Sequence, residues 1–315
     1  MAQNNPKKIG YFRLQLRYLK KNKSIVFFLI PALLLTLTFG YLPMSGIVLA
    51  FKEKVSYTRW FQDVMTQPFT IKHFTTIFQN SEVIVALKNT LIISGAKLLI
   101  FFPLSIILAI FLSEIKRQSI SKLVLIVLCL PNFLSWPVVV GIWNNLLSLD
   151  NGLINNFLSS IGLSRIYFFQ DHFKALVVFL CIWKGLGWSS IYFYAAIMSI
   201  DKEYYEAAEI DGANKFQQIA NLTIPGILPV IALQLVMNIT YILDAGFDQV
   251  YSMLSIVRSM DLEEAILGTY IFKLTQEYSS IPSIVAMSIL QGVFALVLML
   301  VGNTLVKKKL GRSLW

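Results

Sequence analysis

Charge and reactive side chains are what this chain has least of. Only 14% of its 315 residues are charged, and it holds two cysteines and two histidines. Cys129 and Cys181 each lie inside an apolar run, where neither oxidation nor metal binding is expected, which leaves them as packing residues. His73 and His172 stand alone in separate loops, with no cluster of Cys, Asp or Glu at ligand spacing, so no metal centre is expected. The sequence has no phosphate-binding GxxxxGK[ST] loop and no nucleophile elbow. Neither catalysis nor a bound cofactor is therefore expected of this chain, and if ATP drives it, another chain binds the nucleotide. Internal repeats and low-complexity linkers are lacking as well.

What the chain has in excess is apolar sequence, with 56% hydrophobic residues and a mean hydropathy of +0.66. A helix needs about 20 apolar residues to cross about 30 Å of hydrocarbon. Six segments qualify: 24–42, 83–112, 121–146, 174–200, 224–247 and 284–306. The expected fold is an all-α polytopic membrane protein with a membrane domain over 24–306. The net charge of +10 gathers beside apolar runs at the ends of the chain, which reads as a topology signal and not as nucleic-acid binding.

In residues 1–23, Lys7, Lys8, Arg13, Arg17, Lys20, Lys21 and Lys23 alternate with Tyr11, Phe12, Leu14, Leu16 and Leu19. That is the outline of a basic interfacial segment on anionic lipid. The competing signal peptide is disfavoured by the length of the apolar run and the lack of a small-x-small cleavage pattern. The tail 307–315 carries Lys307, Lys308, Lys309 and Arg312, and the loop 114–122 carries Lys116 and Arg117. Together with the polar loop 201–225 they place both termini in the cytoplasm. Loops 43–82, 147–173 and 248–283 then face outward. The first holds Tyr57, Trp60, Phe61, Phe69, Phe74 and Phe78, which suits short helices at the outer interface.

One polar stretch has a strong internal pattern, Glu206 to Pro225, reading EAAEIDGANKFQQIANLTIP. A helix-favouring start, an Asp211-Gly212 break, a mixed helix and Pro225 at the start of the next run make a helix-turn-helix in a membrane loop. Gly212 can take positive φ at the turn, and Asp211 is placed to cap a helix starting near Ala213. The stretch resembles the EAA loop of the permease subunits of ATP-binding cassette importers. Glu206, Ala207, Ala208, Gly212 and Pro225 fall on that spacing, while Leu222 and Ile224 exchange apolar types without shifting the register. The resemblance implies a coupling helix that a separate ATPase grips. Ala207 and Ala208 would allow deep seating, and Glu206 would offer a carboxylate to a basic residue at the groove rim.

Four further segments, GYLPMSGIVLAFKE, KNTLIISGAKLL, DAGFDQVYSML and TYIFKLT, resemble a narrower group, the carbohydrate-uptake permeases that handle complex oligosaccharides. That resemblance implies an ATP-driven sugar importer of a bacterial cell membrane. Its implied partners are a second, homologous permease, two ATPase subunits, an extracellular lipid-anchored sugar-binding protein and an oligosaccharide of unspecified identity. An importer of amino acids, peptides or oxyanions shares the EAA loop and stands as the alternative. A secondary transporter stands behind it, since the internal repeats and broken midplane helices of such folds are not evident in the sequence.

Polar residues inside the apolar runs mark the expected substrate path. Lys97 falls near the middle of the second segment, about 15 Å from the headgroups at 1.5 Å per residue, which is beyond the reach of its stem. Substrate or subunit contact and a purely structural hydrogen bond both fit it. If the fifth segment is one helix, Gln234, Asn238, Tyr241 and Asp248 share an arc of about 80°, with Asp244 beside it. On the fourth, Lys184, Trp188 and Tyr192 recur at i, i+4 and i+8, again within about 80°. Sugar hydroxyls want carboxylates and amides, and apolar ring faces want aromatic planes. The competing reading is a packing interface in which Lys184 pairs with Asp244 or Asp248.

Overall fold

The computed structural model describes residues 23–257, 264–278 and 280–310. The basic segment expected over 1–23, apart from the backbone of Lys23, lies outside them, as does Arg312. In chain order the helices are α1 (Phe27–Phe51), α2 (Trp60–Thr66), α3 (Lys72–Ile77), α4 (Ser81–Glu114), α5 (Gln118–Phe133), α6 (Trp136–Leu147) and α7 (Leu153–Ser160). They continue, after a single turn at Phe168–Asp171, with α8 (Phe173–Met198), α9 (Lys202–Ile210), α10 (Lys215–Thr240), α11 (Phe247–Val257), α12 (Leu267–Gln276) and α13 (Ile281–Lys308). Among the described residues the only extended pairing is an isolated bridge between Lys52 and Phe69.

Five helices, α1, α4, α8, α10 and α13, are long and apolar enough to cross a membrane, and the pair α5 and α6 makes a sixth crossing if counted as one span. The expected all-α polytopic fold is what is found, but three segments are corrected. The third was expected as one helix over 121–146. It is two helices that meet at 98°, because Pro131 and Pro137 at the junction lack the N–H that would carry a helix through it. The fifth starts at Lys215 and stops at Thr240, where 224–247 was expected. A π-helical turn over Ile219–Thr223 adjusts the backbone just ahead of Pro225, so the helix runs on past the proline. The first continues through tighter 3₁₀ turns to Phe51, past its expected end at 42. Broken helices, which the sequence did not reveal, are therefore present.

α8 is the central element and packs on α4, α5 and α10, while α13 packs on α10, on the end of α1 and on α3. The largest buried cluster joins Phe173, Leu176 and Leu180 of α8 to Val250, Met253 and Leu254 of α11. A second joins Ala109 and Leu112 of α4 to Phe193 and Ile197 of α8 and Ile227 of α10. α12 is fastened to α4 by polar side chains: Asn89 Nδ2 donates to Ala265 O at 3.0 Å and the Leu267 amide to Thr90 Oγ1 at 2.8 Å. The Tyr270 hydroxyl donates to Glu82 Oε2 at 2.9 Å. Burial and that carboxylate push the Tyr270 phenol up to about 12, so it remains a proton donor through the physiological range.

The bundle has two distinct ends. At one, α9 stands beside the junction of α4 and α5, where Lys215 pairs with Glu114 at 3.5 Å. At the other, the segment 52–80, which forms short helices as expected, folds onto the start of α13 through His73 Nδ1 and Ser283 Oγ at 3.0 Å.

Candidate functional site

The first candidate region is the helix-turn-helix. Asp201 caps α9 by accepting from the Glu203 amide at 3.2 Å. The chain reverses at Gly212 with φ +80, and a Cβ there would meet open space. The helix after the turn is capped by Asn214, not by Asp211 as expected. Asn214 Oδ1 accepts from the Gln217 amide at 2.9 Å and Gln217 Oε1 accepts from the Asn214 amide at 2.8 Å, a reciprocal capping box. Asp211 instead closes α9, its amide donating to Ala207 O at 3.0 Å. The pattern Asn-x-x-Gln was the available signal for this assignment.

Glu206, Ala207, Asp211 and Gly212 are exposed. Ala208 is half-buried, on the same side as Tyr205, whose hydroxyl meets Thr223 Oγ1 at 3.0 Å. Facing outward are three large apolar side chains that sequence reasoning did not single out: Tyr204, Ile210 and Phe216, at 64%, 87% and 79% exposure. Under the helix lies a hollow of about 350 Å³ whose walls include Glu206, Glu209, Lys202 and Lys215. α8 leads into α9 and α10 follows the turn, so α9 is joined by short connections to two spans.

The second region lies where α10 ends. Beyond Thr240 the chain turns through Tyr241–Gly246, with Ala245 at φ 49 and Gly246 at φ 82, before α11 begins. The arc expected for Tyr241, Asp244 and Asp248 on a continuous helix therefore does not exist. The break does bring Asn238, Tyr241 and Asp244 together with Lys97 and Ser94 around a cavity of about 160 Å³. Asn238, Tyr241, Asp244 and Asp248 are all exposed, Asp248 in the first turn of α11.

A helix that ends inside the bundle leaves carbonyls that must find donors there, each unpaired one at a cost on the order of several kcal/mol. Here distant side chains satisfy them. Ser94 donates to Ile242 O, Lys97 Nζ to Ala245 O at 2.8 Å, and Gln291 Nε2 to Leu243 O at 3.1 Å. Lys97 Nζ also donates to Gln249 Oε1 at 2.9 Å, and Gln249 Nε2 in turn to Val177 O at 2.6 Å. Of the two roles open to Lys97, a structural hydrogen bond is thus seen directly. Ser94, Gln249 and Gln291 were missed because a lone polar residue on an apolar helix gives no hint of a carbonyl so far along the chain.

The α8 residues divide. Lys184 does not pair with Asp244 or Asp248: it is 8% exposed, donates to Asn132 O at 2.7 Å and lies 5.3 Å from the Trp136 ring centroid. It pins the α5–α6 bend as Lys97 pins the later break. Trp188 packs edge-on against Phe133 at 6.1 Å and is exposed on its other side, as is Tyr192.

Comparison with known proteins gives this architecture a relationship. The chain is 32% identical over 290 residues to the polygalacturonan/rhamnogalacturonan transport system permease protein YteP of Bacillus subtilis (strain 168), covering 91% of this chain and 89% of that one. It superposes with a TM-score of 0.83 and 33% identity on a chain of a bacterial ABC transporter involved in the import of the acidic polysaccharide alginate, covering 94% of this chain and 99% of that one. A second structure of a bacterial alginate ABC transporter, in complex with an alginate pentasaccharide-bound periplasmic protein, matches with the same TM-score of 0.83 and 33% identity over 95% of this chain and 99% of that one. A family model matches residues 102–309, which include the helix-turn-helix, the break after α10 and both α8 and α13. The chain is a multi-pass membrane protein and belongs to the family of binding-protein-dependent transport system inner membrane components.

Proposed function

We propose that this chain is the permease subunit of an ATP-driven, binding-protein-dependent importer of oligosaccharides, and that residues 201–225 couple it to a separate ATPase. The observation that carries this reading is the continuity of α10. One helix of about 39 Å, at 1.5 Å per residue, leads from the Gly212 turn to the cavity of Asn238, Tyr241 and Asp244. A push on the exposed face of α9 is delivered to the polar break inside the bundle. The chemistry of that break suits sugar: a carboxylate and an amide for hydroxyls, with Tyr241 offering a ring face, while Trp188 and Tyr192 of α8 stand outside that cavity. The cargoes named for the relatives, a polygalacturonan or rhamnogalacturonan and alginate, point to the same class.

In this reading the chain itself hydrolyses nothing. It works with a second, homologous permease, two ATPase subunits and an extracellular sugar-binding protein, and the face of α9 is cytoplasmic together with both termini. Glu206→Lys tests the coupling in the assembled complex reconstituted into vesicles. Its charge reversal is expected to abolish ATP-dependent oligosaccharide uptake while all subunits remain assembled, and undiminished uptake would overturn the coupling role. Asp244→Ala, Tyr241→Ala and Trp188→Ala are expected to lower uptake with assembly intact, and wild-type transport by all three would remove them from the path.

A further inference from the structure

A cavity of about 690 Å³ lies not at the break but at the end of the bundle opposite α9. It lies within the segment 52–80 and against the chain just before α13. Its walls are built rather than draped. The Thr70 amide donates to Phe51 O at 2.8 Å and the Glu53 amide to Pro68 O at 3.3 Å, closing the bridge between Lys52 and Phe69. Lys52, itself buried, donates from Nζ to Gln67 O at 2.9 Å. His73 ties the floor to α13 through Ser283 and to the rim through Lys52 O at 3.1 Å. The Ser56 amide donates to Asp63 Oδ2 at 2.8 Å.

Three cations, Lys54, Arg59 and Lys72, line this space with two carboxylates, Glu53 and Asp63. Among the described residues the ion pairs are Lys174–Glu264, Lys215–Glu114 and Lys273–Glu277, so none of the three cations is committed to a carboxylate of this chain. Guanidinium and ammonium groups bind carboxylates through charge-assisted hydrogen bonds, with Arg able to grip both oxygens. The two acids beside them accept hydrogen bonds from hydroxyls. One ligand chemistry satisfies both halves of the wall: a chain of sugar hydroxyls that also bears carboxylates. We infer that this cavity is an outer subsite for an acidic oligosaccharide, holding uronate carboxylates on Lys54, Arg59 and Lys72 before the chain reaches the break at the end of α10. The inference rests on the import reading above, which makes this end the face from which cargo arrives.

The test uses the assembled complex in nanodiscs without the binding protein, with trigalacturonate as probe and its methyl ester as the neutral control. Wild type is expected to bind the acid weakly, with Kd on the order of 1 mM, more tightly than the ester and less at high salt. The variant K54Q/R59Q/K72Q is expected to lose about tenfold or more in affinity for the acid, at least one charge-assisted contact's worth, and nothing for the ester. R59K, which keeps the charge, guards against misfolding by retaining part of the binding. Equal binding of acid and ester by wild type, no binding of the acid, or an unchanged triple variant would each overturn the subsite. So would a triple variant that loses only association with phosphatidylglycerol vesicles, which would assign the cations to a lipid headgroup. Uptake of neutral and acidic oligosaccharides by the complex separates the two levels. If neither is imported, the import reading fails; if both are imported identically by wild type and triple variant, only the subsite does.

Discussion

Two breaks in this chain turn on a glycine at almost the same dihedral, Gly212 at φ 80 and Gly246 at φ 82, and they are built on opposite principles. The first is exposed, and its polar groups are satisfied by neighbours in sequence, Asp201 before it and the Asn214–Gln217 box after it. The second lies at the end of a membrane span, and its carbonyls are satisfied by Ser94, Lys97 and Gln291 of two other helices. Where water can take up unpaired backbone groups, a turn needs only local caps. Where it cannot, the turn has to be designed together with the helices that face it. In the proposed coupling role the first construction would serve as a hinge, and the second as a fixed shelf for polar side chains.

Substitutions sharpen this contrast, beginning with Lys97→Met. It leaves the Ala245 carbonyl and the Gln249 amide oxygen without their charged donor and is expected to destabilise the complex by about 2–4 kcal/mol. Thermal unfolding of the purified assembly measures it, and an unchanged midpoint would mean that the break holds itself. Gly246→Ala comes next at about 2–3 kcal/mol, because its Cβ would sit 2.8 Å from Lys97 Nζ in a left-handed backbone. Gly212→Ala carries only the backbone cost of about 1–2 kcal/mol, since the space around it is open. If the two alanines prove equally disruptive by unfolding, the distinction between hinge and shelf is lost.

Asn214→Ala removes one cap and is expected to cost about 1 kcal/mol. The loss should appear as faster amide exchange confined to the start of α10. Global destabilisation would instead make this turn part of the cooperative core. Smallest is Glu206→Lys, expected to stay within about 0.5 kcal/mol in stability because Glu206 is exposed and makes no ion pair among the described residues. Its consequence should fall on transport alone, and a large shift in melting would show that Glu206 helps to hold α9 on the bundle.

Much of the membrane architecture was legible in the sequence because it depends on composition over about 20 residues, and the spans α4, α8 and α13 fall close to the expected segments. The helix-turn-helix was legible for a related reason: its caps at Asp201 and Asn214 and the turn at Gly212 are made with near neighbours in sequence. What misled was the assumption that an apolar run is one helix. Pro131 and Pro137 bend the third run by 98°, yet Pro225 and Pro229 leave α10 continuous, and hydropathy reads both runs alike.

The candidate path shows the same division. Asn238, Tyr241, Asp244 and Lys97 were picked out as polar residues in apolar surroundings, and that alone sufficed to find them. Their meeting around one cavity was not deducible, because it depends on where α10 stops. That is decided by hydrogen bonds from Ser94 and Lys97 to Ile242 and Ala245, 148 residues along the chain in both cases, and from Gln291, 48 residues away from Leu243. Lys184 is the counterpart: its spacing with Trp188 and Tyr192 was real, but packing turned its ammonium toward Asn132 instead of the cavity. The sequence by itself determined which stretches enter the membrane and where an exposed turn forms, since both follow from solvation and local caps. The tertiary structure decided where a helix ends inside the bundle and which polar groups it gathers there, since a carbonyl without water takes whatever donor the fold brings to it.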